Sequence, residues 1–271
     1  KIFKEKGIEA YAKHQQENEH VILEPGVGFT LVKKLLKLNS KKTPIDVILL
    51  SRNSADTGLR IFNSIEHYDL NISRAAFTRG ESTHPFVGAF EADLFLSSNY
   101  NDVQKALQSG YAAASIVESK SNNSHPTQIR SAFDGDAVIF SDESERIFQE
   151  KGLEAFHENE ILSEKIELKA GPFKSFLVSL QKIQSTFPEE DNPIRTALVT
   201  ARSAPSHRRV IHTMRKWGIR IDESFFLGGL EKGVFLRQFA ADIFFDDQQQ
   251  HCESASQYVP TGHVPSGIKN S

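Results

Sequence analysis

The sequence has very little cysteine, no large excess of charge of either sign and no long apolar run. Its single cysteine, Cys252, cannot form an intrachain disulfide, which is usual for a protein of a reducing compartment. The 32 Lys and Arg residues nearly balance 35 Asp and Glu residues, and the formal net charge of −3 disfavours a dedicated nucleic-acid-binding protein. No apolar run approaches the ~18 residues of a membrane span, so we expect no membrane partner.

What the sequence does contain is enough apolar material for a sizeable core. Of its 271 residues, 39% are hydrophobic and 25% are charged, which excludes disorder as a global description. A chain of this length forms one or two domains.

An internal repeat organises the chain. Residues 1–10 and 146–155 are identical at seven of ten positions, at an offset of 145. Two later segments repeat at offsets of 150 and 149: 48–52 with 198–202, and 92–96 with 241–245. The period is far too long for a solenoid. We therefore interpret the repeat as two related α/β lobes that arose by duplication.

The same order of elements is predicted in each copy. We expect helices at 1–18, 26–39 and 55–68 and again at 143–160, 171–184 and 204–217. We expect strands at 46–51, 72–78 and 93–97 and again at 195–200, 219–227 and 242–246. This alternation predicts parallel sheets covered by helices on both faces.

A further strand, at 132–140, is predicted to open the second copy. Its counterpart at the same offset would precede Lys1, so we expect an N-terminal strand that the sequence does not contain. We divide the chain into a first lobe at 1–117, a polar linker at 118–128 and a second lobe at 129–271. A short helical insertion is expected near 143–170.

Acidic residues follow the predicted strand that opens the second lobe. Asp134 and Asp136 flank Gly135, which permits the chain to turn at the end of the strand. The two acids would then lie at the carboxyl edge of a parallel sheet, where open α/β folds bind their ligands. Taken alone, the same three residues would indicate only a solvated turn.

Three more signals follow in order along the second lobe. Thr200 ends a strand and precedes a predicted helix start, which is a natural seat for phosphate. Lys232 opens another helix, and Asp246 and Asp247 end a buried strand, where paired carboxylates are costly unless a cation offsets them. Each signal has an ordinary explanation by itself, as a helix cap, a surface lysine or a turn.

The ordered set resembles the haloacid dehalogenase superfamily, and most closely the cytosolic 5′-nucleotidase type I family. The resemblance rests on FDGDAVIFSDESERI at 133–147, LVTARSA at 198–204, ADIFFDDQ at 241–248 and IFNSIEHYDL at 61–70. It implies haloacid dehalogenase-like Rossmannoid parallel sheets and a cytoplasmic, Mg²⁺-dependent phosphatase of nucleoside monophosphates. The family tends to form oligomers, which makes a homo-oligomer compatible with the sequence, and no nucleic acid polymer is an expected partner.

The resemblance also implies roles for the acids. Asp134 would attack phosphorus and form an aspartyl-phosphate, and Asp136 would protonate the leaving oxygen and later take a proton from water. Mg²⁺ would be held by the Asp134 carboxylate, the Asp136 backbone carbonyl and, by preference, Asp247, with Asp246 beside it.

Other residues are assigned to the substrate on the same basis. Thr200, the backbone N–H of Ala201 and Lys232 would hold the phosphoryl oxygens. We predict that Arg52, Asn53 and Arg202 also contact the substrate. In our alignment the first lobe has Leu50 at the position of Thr200, and Ser97 and Ser98 at the positions of the paired acids. The first lobe is therefore predicted to be non-catalytic.

Two other functions stay open at the level of the sequence. The same chemistry could act on another small phosphate ester such as a sugar phosphate, because nothing in the motifs selects the leaving group. The chain could also be a catalytically silent nucleotide-binding protein, although its intact set of acids argues against this.

Overall fold

A computed structural model describes residues 2–119 and 124–270 of the chain. The chain forms two compact units, the first ending at Phe90 and the second beginning at Glu91. The predicted boundary at 118–128 does not coincide with this division, and residues 120–123 of that segment lie outside the described residues. Within the described ranges, no helix has both the length and the apolar character to cross a membrane.

The first unit contains helices packed around a small parallel sheet. Its elements in order are α1 Ile2–Glu17, α2 Phe29–Leu38, β1 Ile48–Ser51, a 3-10 turn Asp56–Gly58, α3 Leu59–His67, β2 Arg74–Phe77 and α4 Pro85–Ala89. Strands β1 and β2 pair in parallel, with Ile48 opposite Arg74 and Ser51 opposite Phe77. The expected alternation of strands and helices is therefore observed.

The second unit is built on a seven-stranded sheet. Its strands are β3 Phe95–Ser97, β4 Ala113–Val117, β5 Ile129–Phe133, β6 Ile194–Thr200, β7 Glu223–Phe226, β8 Ile243–Asp246 and β9 Thr261–His263. Its helices are α5 Tyr100–Gln108, α6 Glu143–Leu162, α7 Lys174–Gln184, α8 His207–Trp217, α9 Gly233–Phe239 and α10 Gln249–Ala255, followed by a 3-10 turn Ile268–Asn270. The strand order is β3-β4-β9-β8-β5-β6-β7, and every pair is parallel except β4 with β9.

That antiparallel pair explains why the units divide where they do. Ser115 of β4 lies opposite His263 of β9, so β3 and β4 are hydrogen-bonded into the sheet of the second unit. The pairing satisfies backbone groups that would otherwise form an open sheet edge. Residues 91–117, which we assigned to the first lobe, therefore belong to the second unit.

The central strands β5, β6 and β8 are buried on both faces along most of their length, as expected for parallel strands covered by helices. Phe133 of β5 stacks on Phe245 of β8 with ring centroids 5.5 Å apart, and Phe173 packs on Phe245 at 4.7 Å. All three rings are fully buried. Each contributes roughly 1.5–3 kcal/mol of transfer free energy, which fixes the strands whose carboxyl ends hold the acids.

The strand predicted at 132–140 is wrong in its extent. Strand β5 ends at Phe133, and residues Gly135–Ile139 form one wide turn closed by a 2.9 Å hydrogen bond from Phe140 N–H to the Gly135 carbonyl. The left-handed residue of the turn is Ala137, at φ 57°, rather than Gly135. A run of apolar residues is buried here in a turn instead of a strand, a distinction that periodicity cannot make.

The repeat extends from the sequence to the backbone. Helices α1 and α6 are interrupted by glycines 145 residues apart, with nearly the same dihedral angles: Gly7 has φ 81° and ψ −176°, and Gly152 has φ 83° and ψ −178°. Four more pairs with positive φ lie 149 residues apart: Asp69 and Gly218, Arg79 and Gly228, Gly80 and Gly229, Glu91 and Ala240. Duplication as the origin of these matches stays a prediction.

The structure corrects one register in our alignment. Ser51 pairs with Phe77 and Thr200 with Phe226, and both hydroxyls accept a hydrogen bond from the N–H two residues later, at 3.2 and 3.3 Å. The offset is therefore 149, and Ser51 rather than Leu50 matches Thr200. The slip arose because a short apolar strand aligns almost equally well in neighbouring registers.

Candidate active site

Strand register brings three carboxylates together. Phe133 of β5 lies opposite Phe245 of β8, and the next N–H, that of Asp134, donates to the Phe245 carbonyl at 2.8 Å. Asp134 therefore lies level with Asp246, and Asp247 follows at once. One carboxylate oxygen from each of these buried acids lies within 4.8 Å of the others. This cluster of Asp134, Asp246 and Asp247 is called the acid triad below.

A buried lysine joins two members of the triad. The Nζ atom of Lys232, just before α9, lies 2.8 Å from Asp134 Oδ1 and 2.6 Å from Asp246 Oδ2. Burial by itself would lower the pKa of Lys232, but the two carboxylates outweigh it and raise the pKa above its usual value. Lys232 therefore stays charged, as a buried ammonium requires when it is paired.

The triad is nevertheless short of positive charge. Burial raises the pKa of Asp134, opposed by Lys232, while Lys232 and His251 overcome burial at Asp246 and depress its pKa. Burial together with the charges of Asp134 and Asp246 raises the pKa of Asp247 to about 9. Three clustered carboxylates with one lysine offer the hard oxygen donors and the excess negative charge that a divalent cation requires.

Thr200 adjoins the segment 134–139 that follows β5, which is called the acid loop below. A Cβ atom added at Gly135 would lie 3.2 Å from Thr200 Oγ1, so the backbone between Asp134 and Asp136 packs directly against this hydroxyl. The helix predicted at 204–217 begins only at His207, as α8, so a loop separates it from Thr200. Any N–H groups offered to phosphate after β6 therefore come from this loop and not from a helix terminus.

Arg202 is engaged by acids. Its Nε and Nη2 atoms donate to the two carboxylate oxygens of Asp136 at 2.9 and 2.6 Å, and its Nη1 donates to Glu160 Oε2 at 2.5 Å. All three guanidinium nitrogens are thus occupied, and the Arg202 side chain is 2% exposed. We expected this residue to contact substrate, but its contacts point to a role through Asp136.

Sequence reasoning missed Glu160. It lies in α6, which its composition predicts to be a charged amphipathic helix, and yet its side chain is fully buried. A glutamate on such a helix looks like any solvated charge. Only the repeat offers a signal, because the matching residue at the offset of 145 is the uncharged Gln15.

Arg52 and Asn53 lie in the first unit, in the loop after β1. The Asn53 side chain accepts a hydrogen bond from Tyr11 Oη at 3.2 Å, and the Arg52 carbonyl accepts one from Gly80 N–H at 2.7 Å. Their contribution to substrate binding stays a prediction.

Comparison with known proteins decides the family to which this chain belongs. A model of the 5′-nucleotidase family matches residues 1–271, the whole chain. The chain belongs to the 5′-nucleotidase family. It is 40% identical to human (Homo sapiens) cytosolic 5′-nucleotidase 1B over 95% of its own length and 44% of that protein. It thus spans less than half of this curated relative, and no solved structure matches it.

Family membership confirms the predicted fold class. The chain is α/β with mainly parallel strands, in agreement with the expected haloacid dehalogenase-like Rossmannoid fold. The acid triad, Lys232 and Thr200 lie at the carboxyl ends of strands or in the segments that follow them, where such folds bind ligands.

Proposed function

We propose that this 5′-nucleotidase-family chain hydrolyses nucleoside 5′-monophosphates to nucleosides and inorganic phosphate. The observation that carries the proposal is the buried acid triad, with the Asp134 carboxylate held beside Lys232. The family and the name of the human relative supply the substrate class and, by the same name, a cytosolic location.

In the proposed reaction Asp134 is the nucleophile. One of its carboxylate oxygens forms a bond to phosphorus while the bond from phosphorus to the nucleoside O5′ breaks, and Asp136 gives its proton to that oxygen. The nucleoside leaves, and an aspartyl-phosphate remains. Water then attacks phosphorus and loses a proton to Asp136, which releases phosphate and restores the Asp134 carboxylate.

Phosphate contacts are proposed for Thr200, the Ala201 N–H and Lys232. Thr200 is buried beside the acid loop, and the Lys232 ammonium is fixed by Asp134 and Asp246 before any substrate enters. Donors that are already oriented in a site of low dielectric stabilise developing charge without further reorganisation. This is the physical basis of the assignment.

We propose Mg²⁺ as the cofactor. Asp134, Asp247 and the Asp136 backbone carbonyl would hold it, because Asp246 already accepts hydrogen bonds from Lys232 and from Gln248 N–H. When bound, the cation would offset the repulsion between the Asp134 carboxylate and an anionic phosphate ester.

Arg52 and Asn53 remain proposed substrate contacts. A homo-oligomer, and the absence of nucleic acid and membrane partners, likewise remain predictions.

A substrate panel with and without Mg²⁺ tests the function. We expect phosphate release from nucleoside 5′-monophosphates that requires the cation, stops with a chelator and is lost in Asp134→Asn. The exposed Asp191→Asn is the matched control and should keep full activity. Preference for hexose phosphates would establish the alternative substrate class, and no release from any ester would leave a silent nucleotide-binding protein.

A further inference from the structure

The side chain of Asp136 is held by a single residue through two bonds. Arg202 donates to both Asp136 carboxylate oxygens, at 2.9 and 2.6 Å, in the forked geometry that only a guanidinium provides. This geometry fixes the direction of the carboxylate as well as its location.

Arg202 is itself held from behind by Glu160. The fully buried Glu160 carboxylate accepts from Arg202 at 2.5 Å, from Arg209 at 2.9 Å and from Ser144 Oγ at 2.9 Å. The ring of Phe156 lies 5.5 Å from the Arg202 guanidinium carbon. Charges this deeply buried persist only when each is paired and hydrogen-bonded, so the arrangement is rigid.

The first unit repeats some of the hydrogen bonds around Arg209 but not those of Arg202 and Glu160; the repeated set is called the scaffold below. Arg60 matches Arg209, and the Nε atom of each donates to a backbone carbonyl, that of Val21 at 2.7 Å and that of Ile166 at 2.9 Å. A hydroxyl one turn later in each helix makes the same two hydrogen bonds. Ser64 donates to the Arg60 carbonyl and accepts from Leu23 N–H. Thr213 donates to the Arg209 carbonyl and accepts from Leu168 N–H. Because both units have these hydrogen bonds, we infer that they stabilise the fold.

Arg202, which contacts Asp136, and Glu160, which contacts Arg202, are not shared. Gln15 occupies the position of Glu160 and accepts from Arg60 Nη1 at 3.4 Å. At the corrected offset Asn53 occupies the position of Arg202. The first unit therefore has neutral residues at both positions, and there Gln15 bonds Arg60 and Asn53 bonds Tyr11.

We propose that Arg202, held by Glu160, is a positioning residue that aims the Asp136 carboxylate at the leaving-group oxygen. The inference rests on the proposed phosphatase function and goes beyond it, because neither residue touches the ester. Proton transfer by Asp136 matters most when the leaving group is a poor one, such as the alcohol of a nucleoside. It matters little for p-nitrophenol, which departs without a proton.

The test compares two substrates in one double variant. Arg202→Asn with Glu160→Gln introduces the two neutral residues that the first unit has at these positions, and removing both charges together leaves neither of them facing a lost partner. We expect kcat/KM, which covers the steps up to release of the alcohol and not the water attack that both substrates share, to fall about 10²- to 10³-fold for a nucleoside 5′-monophosphate. For p-nitrophenyl phosphate it should fall less than about tenfold, in line with the usual contribution of general acid catalysis. The control is Arg208→Asn, at the start of α8 after the loop that contains Arg202, which has a side chain 64% exposed and should change neither value.

A second comparison uses Asp136→Asn. On that background the double variant should lower nucleotide turnover no further, because the group that Arg202 positions is gone. An equal loss on both substrates, or a full additional loss with Asp136→Asn present, would show a merely structural role and overturn the proposal. If the double variant is unfolded by circular dichroism, Arg202→Lys, which keeps the charge but not the fork, gives the same comparison.

The outcomes also separate this proposal from the function on which it rests. A wild-type chain that hydrolyses only hexose phosphates would end the nucleotidase proposal, yet its substrate alcohol is also a poor leaving group. The Arg202 comparison would then be made with that ester, and a selective loss would support it. A wild-type chain inactive on every ester would overturn both.

Discussion

The Lys232 ammonium lies 2.6 Å from the Asp246 carboxylate, and both side chains are almost completely buried. The same nitrogen lies 2.8 Å from Asp134. The lysine therefore supplies a buried positive charge that both carboxylates share. Its removal would leave two carboxylates facing each other in a medium of low dielectric.

Lys232→Met should accordingly remove both activity and stability. Loss of one partner of a buried ion pair costs roughly 3–5 kcal/mol, because the remaining charges are left uncompensated. Urea unfolding of the variant measures this cost, with the exposed Lys182→Met as the control that should change little. A Lys232→Met variant as stable as the wild type would show that the ion pairs contribute nothing to the fold.

Divalent cation should stabilise the folded chain through Asp247. A ligand that binds only the folded state stabilises it by about 2.7 kcal/mol at 100 times its Kd, so Mg²⁺ should raise Tm in a dose-dependent way. The shift should be lost in Asp247→Asn and kept in Asp191→Asn, whose side chain is exposed. An equal shift in both variants would place the cation elsewhere.

Thr200 and Ser51 offer a matched pair for the phosphate contact. Thr200→Val should lower kcat by about 10²- to 10³-fold if its hydroxyl stabilises the transition state, and Thr200→Ser should keep most of the rate. Ser51→Ala removes the matching hydroxyl from the first unit and should leave kcat unchanged. Steady-state kinetics on the preferred ester measures kcat for each variant. Equal effects at the two positions would show that both hydroxyls only hold the backbone of their loops.

Two matched glycines test how tightly the acid loop is packed. A Cβ at Gly171 would lie 2.3 Å from the Phe140 carbonyl oxygen and 2.5 Å from that of Val138, whereas one at Gly26 meets nothing within 4 Å. Gly171→Ala should destabilise the chain by roughly 1–3 kcal/mol, because backbone must move. Gly26→Ala should be neutral, and the difference is read from the two unfolding midpoints. Equal stability of the two variants would mean that the backbone around Gly171 can move to make room for the methyl group without a loss in free energy of unfolding.

Much of the site was accessible from the sequence because its residues end predicted strands. Asp134, Thr200 and Asp246 each follow an apolar run, and the carboxyl ends of neighbouring parallel strands meet at one edge of a sheet. That inference needs only the order of the elements. The contact between Arg202 and Asp136 could not be found in this way, because it depends on side-chain directions in a loop.

The compact units divide at Phe90 and Glu91 rather than at the polar segment, for a similar reason. The polar segment at 118–128 looks like a linker, but β4 just before it pairs with β9 near the other end of the chain. Such long-range pairing leaves no trace in local composition. The one-residue slip at Ser51 has the same origin, since the register of a short strand is set by its partner.

The sequence by itself determined the α/β class, the internal repeat and the identities of the acids, because these depend on local patterns of apolar and charged residues. Only the tertiary structure decided that Glu160 is buried behind Arg202, that Asp136 is clasped on both oxygens and that Ser51 matches Thr200. Burial and hydrogen-bond partners are properties of groups far apart in the chain, so they exist only once the chain has folded.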